Sequence, residues 1–462
     1  LAIRAETVIP LGANVSGAGI VPPMAALQMI PQVYDVPAVF LSGHTVFTNT
    51  TPMGPYRGAG RPEATYFTER LIEHAAREIG MDPVELRRRN FIPPSAMPHT
   101  TQTGVTYDSG NFADTMTKTM AMADWDGYAA RKAASEKRGK LRGRGLIYYL
   151  ETCGIFNDRM ELRFDPSGSV TIVAGTFSHG QGHATTFAQM ASEWLGVPFE
   201  NIRFVQGDTK EVSFGRGTYG SRTSSVGGSA LKMAANNIVE KAKVLAAHLM
   251  EAAPADIQFA DGRFTIVGTD KSVALTDVAK AAYAPLSFLL PPGFGVGLEA
   301  TGTADGAPNF PNGCHICELE IDPDTGTVAI DRYTVIDDVG IVINPLIVEG
   351  QIVGGLAQGF GQALLEEVKY DAASGQLLTG SFTDYAMPRA YDMPDFQCGF
   401  NNVPCQTNPL GIKGAGEAGS VGAPPAVINA ILDALAPMGI KTIDMPATPA
   451  KVWTTIHGAK AA

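Results

Sequence analysis

At 462 residues, with 45% hydrophobic and 18% charged residues, the chain has the length for two or three domains and the composition of a folded protein, not a disordered one. Its net charge of -11 excludes nucleic acid as the main partner, because neutralising phosphates needs a basic face. Five cysteines, an odd and small number, exclude a disulfide framework and point to a reducing, cytoplasmic compartment.

Taken in chain order, Leu1 to Thr7 alternates as a strand and does not begin with Met, so the chain reads as opening inside a domain. Its upstream part is expected to be missing or to lie on another chain. From Glu63 to Ile79, Phe67, Leu71, Ile72, Ala75, Ala76 and Ile79 recur at helical spacing, and Gly80 ends the helix. Asp82 then caps a short second helix, with Pro83 at its first position and Glu85 three residues after the cap. The basic run Arg131 to Arg144, interspersed with Gly, Ala and Ser, reads as a solvated linker.

Beyond it, Met160 to Phe164 and Ser169 to Ala174 form a hairpin around Asp165-Pro166-Ser167-Gly168. A helix from about Ala184 to Leu195, a strand at Asn201 to Gln206 and a long helix from about Ser225 to Ala252 follow. Cys314 to Ile321 and Val328 to Ile336 make a second hairpin, and further helices are expected near Gly350 to Glu367 and Pro424 to Leu435. Cys314-His315-Ile316-Cys317 has the spacing of a metal pair, but no second pair accompanies it and the run alternates as a strand. No stretch reaches the length of a membrane span, the apolar run Leu286 to Leu290 being broken by Ser287 between Pro285 and Pro291, and no signal-peptide pattern is visible. Without a repeat or an alternating βαβ series, the fold class is α+β and not a doubly wound sheet.

Four segments combine glycine with polar side chains at loop-to-helix junctions. They are Asn49 to Glu63, Ser178 to His183, Gly215 to Gly228, and Gly414 to Gly422, which carries Glu417. Helix N-termini offer free N–H groups and partial positive charge, which suits an anionic ligand. Each segment also has a plain structural reading: tight turns at Gly180 and Gly182, loop histidines at 179 and 183, helix caps at Ser221, Thr223 or Glu417. Neither a Walker pattern nor a strand-linked GxGxxG is present.

Together and in order, Tyr56-Arg57-Gly58-Ala59-Gly60-Arg61-Pro62-Glu63, His179-Gly180-Gln181-Gly182-His183, Tyr219-Gly220-Ser221-Arg222 and Gly416-Glu417 carry a resemblance. Asn344-Pro345, Glu349-Gly350-Gln351 and Gln358 to Leu364 add to it. The chain resembles the molybdenum-binding large subunit of the xanthine dehydrogenase, aldehyde oxidase and carbon monoxide dehydrogenase family, the molybdenum hydroxylases. The resemblance implies two elongated molybdopterin-binding subdomains of mixed sheets and helices, the first incomplete at its N-terminus. Their expected extents are 1–130 and 146–462, joined by the linker 131–145.

Such enzymes hydroxylate a carbon centre with oxygen from water, and electrons leave through 2Fe-2S clusters to FAD or another acceptor. The resemblance implies that Glu417 is the base and that Arg57 lies near substrate. Gly58, Ala59 and Gly416 would lie beside the metal through backbone, with Gln181 framed by His179, Gly180 and Gly182. Gly220, Ser221, Arg222 and Thr223 would hold pterin or phosphate, and Gln358, Asp338 and Asn344 would meet the pterin. Molybdenum would be held through the pterin dithiolene with no direct protein ligand, and the pterin would carry cytosine.

Carbon monoxide oxidation in the family needs a cysteine after the loop arginine. Gly58 stands there, so that substrate is not expected, whereas aldehydes, N-heteroaromatics and purines stay open. No counterpart of the family's N-terminal glycine-rich segment precedes Asn49, and neither iron–sulfur cysteine sets nor a flavin domain is present, so iron–sulfur and flavin partners are expected. The alternative is a non-catalytic assembly subunit that keeps the fold without the cofactor.

Overall fold

The computed structural model describes residues 2–460 apart from 285, 287 and 288. Leu1 of the expected first strand and Pro285 and Ser287 of the interrupted apolar run lie outside the described residues. The architecture is mixed α+β, built on two four-stranded sheets and several smaller ones.

The first four-stranded sheet runs in the order Phe396–Phe400, Val328–Asp338, Asn312–Ile321, Leu141–Leu150, antiparallel except for the outermost pair at the Phe396–Phe400 edge. Both faces are covered, so its strands read as nearly continuous apolar runs. Ile147, Tyr149, Cys317 and Leu319 face a helix at Ala418–Leu435, whereas Leu146, Tyr148, Leu150, Cys314 and Ile316 face Phe112 and Met116 of the helix Phe112–Met122. Cys314 and Cys317 therefore point to opposite faces, as strand alternation requires, and cannot ligate one ion together.

In the second sheet the order is Glu299–Ala304, Asp158–Phe164, Val170–Ala174, Ile202–Gln206. Its hairpin turns at 165–168 as expected. The helices His183–Leu195 and Gly228–Met250 cover it, burying Phe187, Leu195, Leu231, Ile238 and Leu245. At the start of the chain, Ala2–Gly12 pairs in parallel with Ala38–Phe47. Asp82 caps Pro83–Asn90 by accepting from the Val84 and Glu85 amides at 2.7 and 3.0 Å, while the Glu85 carboxylate pairs with Arg89.

Three expectations need correction. The basic run is not a solvated linker: it forms the helix Tyr128–Glu136 and the strand Leu141–Leu150. Opposite charges from the neighbouring strand stand in register with it, Glu320 opposite Arg142 and Glu318 opposite Arg144. Arg142, 3% exposed, bonds Glu318 at 2.8 Å and also Glu320 and Asp331; Arg131 reaches Glu318 at 2.7 Å, and the Arg144 guanidinium stacks on Trp125. The second correction concerns helix starts. The two late helices begin well before the predicted points, at Pro345 and Ala418, with Pro424 and Pro425 inside the latter.

The third concerns length. Ala418–Met438 is long and apolar enough to cross a membrane, yet 78% of that window is buried inside the protein, which makes it a core helix. Glycines let the chain pack against it: a Cβ on Gly419 would stand 2.6 Å from the Leu356 amide nitrogen. Gly419→Ala is therefore expected to cost about 1–3 kcal/mol in a denaturant titration. Gly350→Ala, exposed in the interior of the helix Pro345–Leu364 with open space around it, should gain about 0.5–1 kcal/mol.

Candidate active site

The four glycine-rich segments, distant in sequence, close around one cavity of about 1020 Å³. Each ends where a helical segment starts: Arg61–Ile79, His183–Leu195, the π-helical turn Thr223–Gly227 that leads into Gly228–Met250, and Ala418–Leu435. The helix Pro345–Leu364, capped by Asn344, adds a fifth N-terminus. Backbone N–H groups and helix dipoles thus converge on one space.

Glu417 immediately precedes its helix but makes no capping bond with its side chain. Its Oε1 accepts from the Gly58 amide at 3.0 Å and its Oε2 accepts from the Ser221 hydroxyl at 2.7 Å. Two other glycine loops therefore hold the carboxylate at the cavity wall. Positive φ shapes those loops, +103° at Gly58, +44° at Ala59 and +45° at Ser221. The last two are strained for residues with a Cβ, and such strain collects at functional sites. Small size matters equally: a Cβ on Gly414 would stand 2.5 Å from the Ser221 carbonyl oxygen.

Arg57 braces this arrangement. Its Nε donates to the Gly416 carbonyl at 2.5 Å, Nη1 to Gln358 Oε1 at 3.1 Å and Nη2 to the Gln351 carbonyl at 2.9 Å. Burial lowers its affinity for the proton, and the nearby Glu417 carboxylate opposes that. Two of its five N–H groups are left for a ligand.

Twelve of the sixteen residues singled out from the sequence line the cavity: Arg57, Ala59, His179, Gly180, Gln181, Gly220, Ser221, Thr223, Asn344, Gln358, Gly416 and Glu417. Gln181 turns its amide oxygen back to the His179 N–H and the Ser178 hydroxyl, and Thr223 bonds Thr218. Asn344 accepts from the Ile347 amide at 3.1 Å and donates to Gln189. Gly58 contributes its N–H from behind the wall, and Gly182 supplies a left-handed turn against Ile347.

Two residues do something else. Arg222 is fully buried, and its guanidinium bonds Asp158 at 2.6 Å and the carbonyls of Ile155, Asn157 and Gly217, so the side chain fixes the loop and does not line the cavity. Asp338 is likewise buried, accepting from Lys413 at 2.6 Å, from Asn312 and from the amides of Gly340 and Val403. It steadies the chain leading to Gly414 and does not reach the cavity. Both side chains have the right chemistry for a ligand, but protein partners satisfy them first.

The sequence places His183 in its glycine-rich motif and Glu151 in the stretch Tyr149 to Gly154 expected to border the pocket, but it assigns neither residue a role. His183 lines the cavity with its Nδ1 buried and without a partner; burial pushes its imidazole down to about 4, leaving the ring neutral. Glu151 ends the strand Leu141–Leu150 beside Glu417. In the sequence it is a single carboxylate directly after the apolar run Leu146 to Leu150.

The residues suit a molybdopterin group. The cavity is large, five helix N-termini favour its phosphate, glycines permit close backbone approach, and the orphaned His183 nitrogen awaits a polar partner.

Comparison with known proteins agrees. The chain matches the molybdopterin cofactor-binding domain family over residues 1–91 and 118–394. It is 39% identical over 441 residues to the nicotine 6-hydroxylase large subunit of Paenarthrobacter nicotinovorans, covering 92% of this chain and 54% of that protein. Against the carbon monoxide dehydrogenase large chain of Hydrogenophaga pseudoflava it is 37% identical over 443 residues, covering 92% and 54%. The crystal structure of quinoline 2-oxidoreductase from Pseudomonas putida 86 superposes with a TM-score of 0.93 at 37% identity, covering 99% of this chain and 60% of that one. The chain spans about half the length of the curated relatives it matches. It belongs to the molybdopterin-binding large subunits of the carbon monoxide dehydrogenase and xanthine dehydrogenase family.

Proposed function

We propose that this chain is the catalytic part of a molybdenum hydroxylase that oxidatively hydroxylates a carbon centre, with water as the oxygen source. One observation carries the reading. The Glu417 carboxylate is held at the cavity wall by the Gly58 N–H and the Ser221 O–H instead of capping its own helix. A helix cap needs no such placement; a general base does.

When bound, the molybdopterin group supplies a redox-active metal that takes up the electrons of each turnover. The chain's own residues do the rest. The Gly58 and Ser221 donors occupy only two of the carboxylate's acceptor sites, so Glu417 can take a proton without losing its position. Arg57 locks the Gly416 carbonyl and keeps two N–H groups for a substrate carbonyl or heteroatom. Gln181, Gln358, Thr223, Asn344 and the backbone of Ala59, Gly180, Gly220 and Gly416 would hold the pterin and its phosphates. A cytosine dinucleotide form, electron transfer to iron–sulfur and flavin subunits, and a cytoplasmic location complete the proposal.

For substrate, N-heteroaromatic compounds head the candidates, since two relatives act on nicotine and quinoline by name; aldehydes and purines follow. Carbon monoxide stays in the screen because another relative at similar identity is a carbon monoxide dehydrogenase. Gly58 argues against it: at φ +103°, a Cβ there would stand 2.5 Å from the Pro62 ring, which leaves no room for a cysteine.

In the purified complex, Glu417→Gln is expected to keep near-stoichiometric molybdenum and pterin nucleotide while turnover with an artificial electron acceptor falls about 10²- to 10⁴-fold. Wild-type turnover in that variant would remove Glu417 from the mechanism. Complete absence of molybdenum from competent wild-type preparations would favour a non-catalytic assembly role. Arg57→Lys should keep the charge but lose the fork, lowering kcat/KM about 10- to 100-fold; an unchanged value would show that the brace is dispensable.

A further inference from the structure

Glu151 is fully buried, and neither of its carboxyl oxygens has a hydrogen-bond partner. Its ligand atom, that of Glu417 and Cys153 Sγ all lie within 4.8 Å of one another. The titratable and charged groups that face it are Glu417 and Cys153, Arg61 on the helix Arg61–Ile79, Arg57 in the loop before that helix, and Tyr149 on its own strand. Arg61 gives its Nη groups to the Ala59 and Thr152 carbonyls, and among the described residues no ion pair joins it to Glu151.

An ionised carboxylate sealed from water without a donor is among the costliest arrangements in a protein interior. Two carboxylates this close cannot both ionise cheaply. Their surroundings divide the roles: Glu417 receives an N–H and an O–H, both of which favour its anion, while Glu151 receives neither.

We propose that Glu151 and Glu417 share one proton at neutral pH, carried by Glu151 and directed toward Glu417, which makes Glu151 a positioning residue for the base. Protonation removes the buried charge and turns an orphaned oxygen into a donor, with the Glu417 carboxylate as its acceptor. Independently, burial first and the Glu417 charge second drive the Glu151 carboxyl well above the usual carboxylate range. Burial likewise keeps Cys153 a thiol.

The proposal rests on the reading of Glu417 as base only for its consequence in catalysis; the test uses no turnover. Apparent Tm is measured for the purified complex as wild type, Glu151→Gln, Glu417→Gln and the double variant, between about pH 5 and 8. A carboxyl with a raised affinity for its proton in the fold makes wild type lose stability as pH climbs above the ordinary value of 4.5. Glu151→Gln carries a permanent neutral donor and escapes that loss. Its Tm advantage over wild type is therefore expected to widen as pH rises, and to widen less in the Glu417→Gln background. A Tm difference independent of pH would mean that Glu151 is ionised in the fold, overturning the proposal. A pH dependence identical with and without Glu417 would show that burial alone neutralises Glu151, overturning the shared proton. Stabilisation by added Zn²⁺ or Mn²⁺ that vanishes in Glu151→Gln would assign the orphaned oxygens to a cation instead.

Discussion

The site depends on how closely the chain packs around the helix Ala418–Leu435. Almost every residue of that helix is buried, and glycines in neighbouring elements bring backbone close against it. A Cβ on Gly143 would come within 2.6 Å of the Ala434 amide nitrogen, one on Gly145 within 2.6 Å of the Ala430 nitrogen, and one on Gly359 within 2.5 Å of the Ala423 Cβ. Strand, helix and neighbouring helix therefore lock together at near-minimal separation. Two prolines inside the helix remove amide donors, which costs several kcal/mol in isolation; complete burial offsets it. With so little room for the helix to slide, the residue at its head is placed by the whole core.

That residue is Glu417. Helix register brings it to the cavity, the loop at Gly58 reaches it from the N-terminal third of the chain, and the loop at Ser221 reaches it from the middle. Arg57 ties the same strand of chain to the helix Pro345–Leu364 through Gln351 and Gln358. Strained backbone at Ala59 and Ser221 persists because these contacts over-determine it. Under the proposed function, preorganisation of this kind would let Glu417 act as a base without reorganisation at the moment of reaction. Glu151 behind it, in the proposed neutral form, would extend the same logic, since a buried neutral acid can hold a carboxylate in place without adding charge.

Much of this was legible in the sequence because it lies in local chemistry. Glycines at loop-to-helix junctions, the alternation through Cys314 to Ile321, the Asp82 cap and the hairpin at 165–168 all express backbone rules acting over a few residues. The misreadings share one cause. The run Arg131 to Arg144 looked solvated because its acidic partners, Glu318, Glu320 and Asp331, stand about 180 residues away and meet it only across a sheet. Arg222 and Asp338 carry the charge a cofactor site would use, and only the fold shows that Asp158 and Lys413 satisfy them. Prolines at 424 and 425 suggested a helix start, whereas tertiary burial carried the helix back to Ala418.

By itself, the sequence determined the fold class, the four glycine-rich loops, the order of the motifs and hence the family. Those properties are set by residue type and short-range spacing. Which polar groups face the cavity was decided by tertiary structure alone, because a side chain's partner is whatever the folded chain brings within about 3 Å. That is why Glu417 proved to be a held carboxylate instead of a cap, and why Glu151, one acid at the end of an apolar strand, became its buried neighbour.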